Sequence, residues 1–247
     1  MALYIYMGGL ADNPEATTQL LKEKLEITGH TFVSVKVDGI ITHDNRIARV
    51  INMFNHQYLK QGHKQIILVG QSAGGSAVRE AAKRLEGHCA LKGVVMLSPA
   101  MPRGIFFLTW TLFKRMARRI DDLLLGCSMD LTVEEHTALI SPMESKALKA
   151  AVEARVQVPG NEARELAFLP PTFKPYSAPT LIIYGTEDQW INPKAQEKLI
   201  NLMRKSGMYV ERFIVYGAGH ITLGSPKQNQ VIETILSWSK EALTKQY

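Results

Sequence analysis

The sequence predicts an α/β protein: a mostly parallel sheet of about six strands flanked by helices, with an inserted helical cap. Three observations carry this reading. Short apolar or β-branched runs recur along the chain, segments with helical periodicity fall between them, and the alternation stops between Pro99 and Pro179 before it resumes.

The runs are Leu3 to Met7, Thr31 to Val37, Gln65 to Val69, Lys92 to Leu97, Thr180 to Tyr184 and Tyr209 to Val215. Most are continuously apolar rather than alternating, the pattern of strands covered on both faces. Asn13-Pro14-Glu15 reads as a helix start, with an N-cap followed by proline in the first turn; Leu20, Leu21 and Leu25 then share a face until Gly29 ends the segment. Further helices are predicted at Asp44 to Lys60, Gly75 to Leu85, Pro193 to Lys205 and Gln228 to Lys245. Strand and helix in strict alternation argue for a parallel sheet with helices on both faces. The sheet resumes after the interruption, so residues 1–99 and 179–247 are assigned to one core and residues 100–178 to a cap inserted into it.

With 46% hydrophobic and 21% charged residues, the chain has the composition of an ordinary soluble globular protein with material for a sizeable core. Its net charge of +6 is spread along the chain. There is no zinc-finger spacing, RNA-binding sheet motif or basic arm, so nucleic acid is not an expected partner. Cys89 and Cys127 fit neither a disulfide framework nor a zinc site, which points to a reducing compartment and to no metal. The N-terminus lacks the features of a secretory leader, and no apolar run approaches the roughly 18 residues of a membrane span. A cytoplasmic protein is expected.

In a parallel sheet, ligands sit beyond the carboxyl ends of the strands. Three of those places hold matching chemistry. Gly70-Gln71-Ser72-Ala73-Gly74 fits G-x-S-x-G directly after a strand, a turn in which small neighbours let a strained serine stand clear. Gly185-Thr186-Glu187-Asp188 follows the fifth run and Gly217-Ala218-Gly219-His220 the sixth. The order serine, acid, histidine assigns Ser72 as nucleophile, His220 as its base and Asp188 as the group that orients the imidazole, with Glu187 as the rival acid. The other six histidines fall in predicted helices, loops or the cap. For the oxyanion, Ala73 N–H is the first donor candidate and Gly9 N–H, in the loop after the first strand, the second, ahead of Leu10. A phosphate-binding loop and a dinucleotide fingerprint are both missing.

These motifs resemble those of the α/β-hydrolase superfamily, in its small serine-hydrolase branch of esterases, lysophospholipase-like and serine-aminopeptidase-like proteins. YMGG matches the oxyanion loop, GQSAGG the nucleophile elbow, IIYGTEDQWINP the acid turn and YGAGHITL the histidine turn. The resemblance covers nearly the whole chain except the cap, and implies acyl transfer in two steps without a cofactor. Met7 stands where the family has a histidine, and the chain starts at what would be the family's third strand, implying a sheet without the usual first hairpin.

The insertion begins with SPAMPRGIFFLTWTLFKRMARRI, in which Phe106, Phe107, Trp110 and Phe113 are candidates for an acyl pocket. The interleaved Lys114, Arg115, Arg118 and Arg119 suit a lipid-like or carrier-bound substrate, or peripheral contact with a membrane. The plainer reading has the apolar face packing the cap onto the sheet and the basic face solvated. The function expected is hydrolysis of a carboxylic ester or thioester with an apolar acyl or alcohol part. Two alternatives stand beside it: an acyltransferase, biosynthetic cyclase or thioesterase using the same residues, and a ligand-binding protein on the same fold.

Overall fold

The apolar runs become strands where both faces can be covered. The computed structural model describes residues 1–9, 14–36, 42–102, 132–143 and 174–244, with the single positions 105, 109, 114, 121, 125, 127, 149 and 165. Its strands are β1 (Leu3–Met7), β2 (Thr31–Ser34), β3 (Ile66–Gln71), β4 (Leu91–Leu97), β5 (Thr180–Gly185) and β6 (Val210–Val215). They form one sheet in the order β2-β1-β3-β4-β5-β6, and every neighbouring pair is parallel. The long helices are α1 (Pro14–Ile27), α2 (His43–Leu59), α3 (Ala73–Arg84), α4 (Val133–Ile140), α5 (Pro193–Lys205) and α6 (Gln228–Thr244).

Position in the sheet explains the difference between strands. Every residue of β1, β3 and β5 is buried, whereas the edge strands β2 and β6 carry half-buried and exposed positions. Leu3, Ile5, Met7, Leu68, Met96 and Ile182 point to one face, which α2, α3 and α5 cover with residues such as Phe54, Val78 and Leu199. The alternate residues Tyr4, Tyr6, Ile67, Val69, Val95 and Ile183 point to the other, under Leu21 and Leu25 of α1 and Ile235 and Trp238 of α6. Two apolar layers therefore enclose the sheet, as its nearly continuous hydrophobic runs require.

Local signals place the helix ends. Thr42 accepts from Asn45 N at 3.1 Å and caps α2, while Asn192 accepts from Lys194 N at 2.9 Å and caps α5, with Pro193 following as the first helical residue. Several boundaries shift from the sequence reading, most by one or two residues, and two of the shifts have a visible cause. β2 stops at Ser34 rather than Val37, because its pairing with β1 ends at Tyr6–Ser34; Val37 itself lies outside the described residues, as does the expected N-cap Asn13. α3 starts at Ala73, two residues early, because Ser72 already supplies the carbonyl that accepts from Ser76 N at 3.2 Å.

Most of residues 100–178, the expected cap, lies outside the described residues; residues 100–102, 132–143 (with α4) and 174–178, and single positions represent it. No helix among the described residues is long and apolar enough to cross a membrane. Sequence order along the sheet reverses direction between β1 and β3, and the crevice beyond their carboxyl ends is where such a fold admits a ligand.

Trp238 anchors the α6 layer: it is 5% exposed, and its ring lies where a Cβ on Gly93 of β4 would stand 2.8 Å away. Trp238→Ala leaves a void over that glycine and is expected to cost roughly 3–5 kcal/mol in urea unfolding.

Candidate active site

Ser72 sits between β3 and α3 with φ +54° and ψ −118°, a conformation that costs a non-glycine residue about 1–3 kcal/mol. The surrounding backbone holds it there. Ser72 N donates to Leu97 O at 2.9 Å, and Ser72 O accepts from Ala100 N at 2.9 Å as well as from Ser76 N. The motif glycines are required by main-chain crossings: a Cβ on Gly70 would overlap the Gly74 carbonyl, and one on Gly74 would overlap the Met7 carbonyl at the end of β1. Ser72 is half-buried, and Ala73 is fully buried in the first turn of α3.

Asp188 follows β5 and is 3% exposed. Its Oδ1 accepts from Trp190 N at 2.8 Å and Ile191 N at 2.9 Å, and its Oδ2 lies 2.9 Å from His220 Nδ1. An ionised carboxylate only accepts, so Nδ1 carries the hydrogen and Nε2 is left with its lone pair free to take a proton. His220 meets Asp188 rather than Glu187, which is exposed and whose backbone N–H is tied to Ala218 O.

Two further contacts on His220 have no sequence motif behind them. Gln71 Nε2, beside the serine, donates to His220 O at 2.9 Å, and the Trp190 ring stacks on the imidazole with centroids 5.5 Å apart and planes 15° apart. The only sequence hint to either is adjacency, Gln71 next to Ser72 and Trp190 two residues after Asp188. Ser72 Oγ and His220 are not hydrogen-bonded to each other; unliganded sites commonly leave this contact long.

Gly9 runs along the serine. A Cβ on it would lie 2.9 Å from Ser72 Cβ, 3.3 Å from Gln71 O and 3.6 Å from Ser72 Oγ. The structure thus brings Gly9 and Ala73 beside Ser72, and Asp188 against His220. Leu10, Phe106, Phe107, Trp110 and Phe113 lie outside the described residues. Described positions between β4 and β5 reach the site elsewhere: Thr109 Oγ1 donates to Gln189 O at 2.5 Å beside the acid, and Ser141 O lies where a Cβ on Gly219 would come within 2.6 Å, next to the histidine. Two clefts among the described residues, of about 420 Å³ along β6 and α6 and about 340 Å³ around His88 and Pro179, touch none of these groups. Cys89 and Cys127 are exposed thiols, and no metal-binding cluster occurs among the described residues.

A fully parallel sheet with a strained serine after one central strand, and an acid-paired histidine after two others, defines a hydrolase-type α/β scaffold. Residues 30–229 match the model of the alpha/beta hydrolase family, and the chain belongs to that family. No curated protein matches it by sequence. Among solved structures, the chain is similar to a monoacylglycerol lipase from Paleococcus ferrophilus at 19% identity, covering 97% of this chain and 94% of that one with a TM-score of 0.68. It is also similar to a meta-cleavage product hydrolase from Pseudomonas fluorescens at 17% identity, covering 98% and 92% with a TM-score of 0.69. A thermophilic esterase from Thermogutta terrifontis is 16% identical, with 98% and 90% covered and a TM-score of 0.65. At these identities, the likeness establishes a shared fold.

The strain at Ser72 predicts a trade against stability. Ser72→Gly relieves the positive φ, whereas Ser72→Ala retains it, so the glycine variant should be the more stable of the two by about 1 kcal/mol in chemical denaturation.

Proposed function

We propose that this protein is a serine hydrolase that cleaves a carboxylic ester or thioester with an apolar acyl or alcohol part. The observation that carries the reading is the 2.9 Å bond from His220 Nδ1 to Asp188, made at the ends of adjacent strands beside a serine held in a strained turn. His220 Nε2 takes the Ser72 hydroxyl proton as Oγ attacks the carbonyl carbon. Asp188 stays ionised, keeps the imidazole in the tautomer whose Nε2 accepts, and stabilises the imidazolium that forms. Trp190 adds to this, since an aromatic face within about 6 Å attracts a cation.

Ala73 N–H and Gly9 N–H receive the negative charge that develops on the carbonyl oxygen. Collapse of the tetrahedral intermediate expels the alcohol or thiol, which takes its proton from His220 and leaves an acyl-enzyme on Ser72. Water, deprotonated by His220, then attacks the acyl carbon and releases the acid. None of these steps draws on a cofactor. An apolar, lipid-like ester suits the apolar residues at the start of the insertion, and a monoacylglycerol lipase and an esterase are among the proteins that share the fold.

Intact-mass analysis after treatment with a fluorophosphonate should show one adduct on the wild type and none on Ser72→Ala. Turnover of p-nitrophenyl esters should fall by roughly 10⁴-fold or more in that variant, and the optimal acyl length sizes the pocket. Unchanged hydrolysis by Ser72→Ala would remove Ser72 from the chemistry.

A further inference from the structure

A buried cation lies behind the loop that follows β1. Arg46, on α2, is 1% exposed and shares the helix face of Ile47, Val50 and Phe54. Its Nη1 donates to Gly8 O at 2.6 Å and approaches Met7 Sδ at 3.4 Å. Burying a guanidinium is costly unless its donors are engaged, and an apolar residue would fill that helix face more cheaply. The position calls for a reason beyond packing.

The acceptor supplies one. The peptide joining Gly8 to Gly9 is planar and trans, so the Gly8 carbonyl and the Gly9 N–H point in opposite directions. Neither glycine has a Cβ to confine this plane, so its orientation is set by the contacts around it. The carbonyl faces α3, where a Cβ on Gly74 would come within 2.6 Å of it, while the Cα of Gly9 faces Ser72. A charge-assisted bond to the carbonyl therefore fixes the amide hydrogen on the side away from Arg46.

We propose that Arg46 is a positioning residue for the oxyanion site: its bond to the Gly8 carbonyl aims the Gly9 N–H at the oxygen that becomes negative during acyl transfer. This deepens the acyl-enzyme reading and rests on it. The guanidinium also polarises the peptide it holds, so the Gly9 amide becomes a stronger donor, and its buried positive charge stands one peptide unit behind the developing negative charge. Both effects favour the tetrahedral state over the bound ester, so they act on kcat rather than on KM.

Steady-state hydrolysis of a p-nitrophenyl ester by wild type, Arg46→Met and Arg46→Lys tests this, with melting temperatures recorded for each. Methionine removes the donor; lysine keeps the buried charge but offers a shorter, non-planar donor in place of the fork. The expected result is a loss in kcat of about 100-fold for Arg46→Met and about 10-fold for Arg46→Lys, with KM within about threefold of wild type. Should Arg46→Met fail to fold, Arg46→Lys decides. Wild-type kcat in a folded variant, or a loss carried by KM, overturns the inference while leaving the acyl-enzyme reading standing. A wild type inert to the ester and to fluorophosphonate alike defeats that underlying reading instead.

Discussion

The crossing of two main chains at Gly74 is the constraint around which the site is arranged. The turn after β3 passes the end of β1 with no room for a side chain, and Gly70 and Gly74 meet within the same turn. With both neighbours pinned and its own N–H and carbonyl committed to Leu97, Ser76 and Ala100, Ser72 has no relaxed conformation open to it. Its positive φ is thus a result of packing in the layers above and below rather than of the serine itself. The same crossing lays the loop after β1 alongside the serine, so one steric requirement brings together groups from two strands.

The remaining groups arrive from the other side of the sheet. Asp188 and His220 lie in the turns that follow the adjacent strands β5 and β6, and Asp188 is locked by two backbone donors of its own turn before it meets the imidazole. Gln71 ties the histidine backbone to the serine turn across 149 residues of chain. The imidazole is consequently constrained at Nδ1, on one ring face and through its own main chain, which leaves Nε2 as the ring nitrogen open to chemistry.

Much of this arrangement was legible from residues alone, and the parts that were not have a common cause. Leu3–Met7 and Pro193–Lys205 coincide with their sequence-predicted bounds because local signals fix both ends: a continuous apolar run in one case, and an Asn-Pro cap with a basic last turn in the other. The three turns holding Ser72, Asp188 and His220 were readable because each follows a strand and each carries its own short motif. Arg46, Gln71 and Trp190 carry no such signal, since what distinguishes them is a partner far away in sequence or a main-chain atom that no side-chain pattern encodes. On helical periodicity, Arg46 merely interrupts an apolar face. Sequence alone places His43 among the helix, loop or cap histidines, yet it is 2% exposed and faces Ser76 at 3.4 Å, a placement that depends on how α2 meets α3.

The contact between Ser141 and Gly219 bears on how freely this scaffold can exchange parts. The insertion rests its main chain on the turn that presents His220, bonds through Thr109 beside Asp188, and reaches the start of α2 where Glu165 accepts from His43 N at 2.6 Å. Three described positions between β4 and β5 thus touch the acid turn, the histidine turn and the helix bearing Arg46. Grafting a foreign insertion between Pro99 and Pro179 would disturb the geometry of the base unless the graft also brought a main chain that fits against glycine at 219.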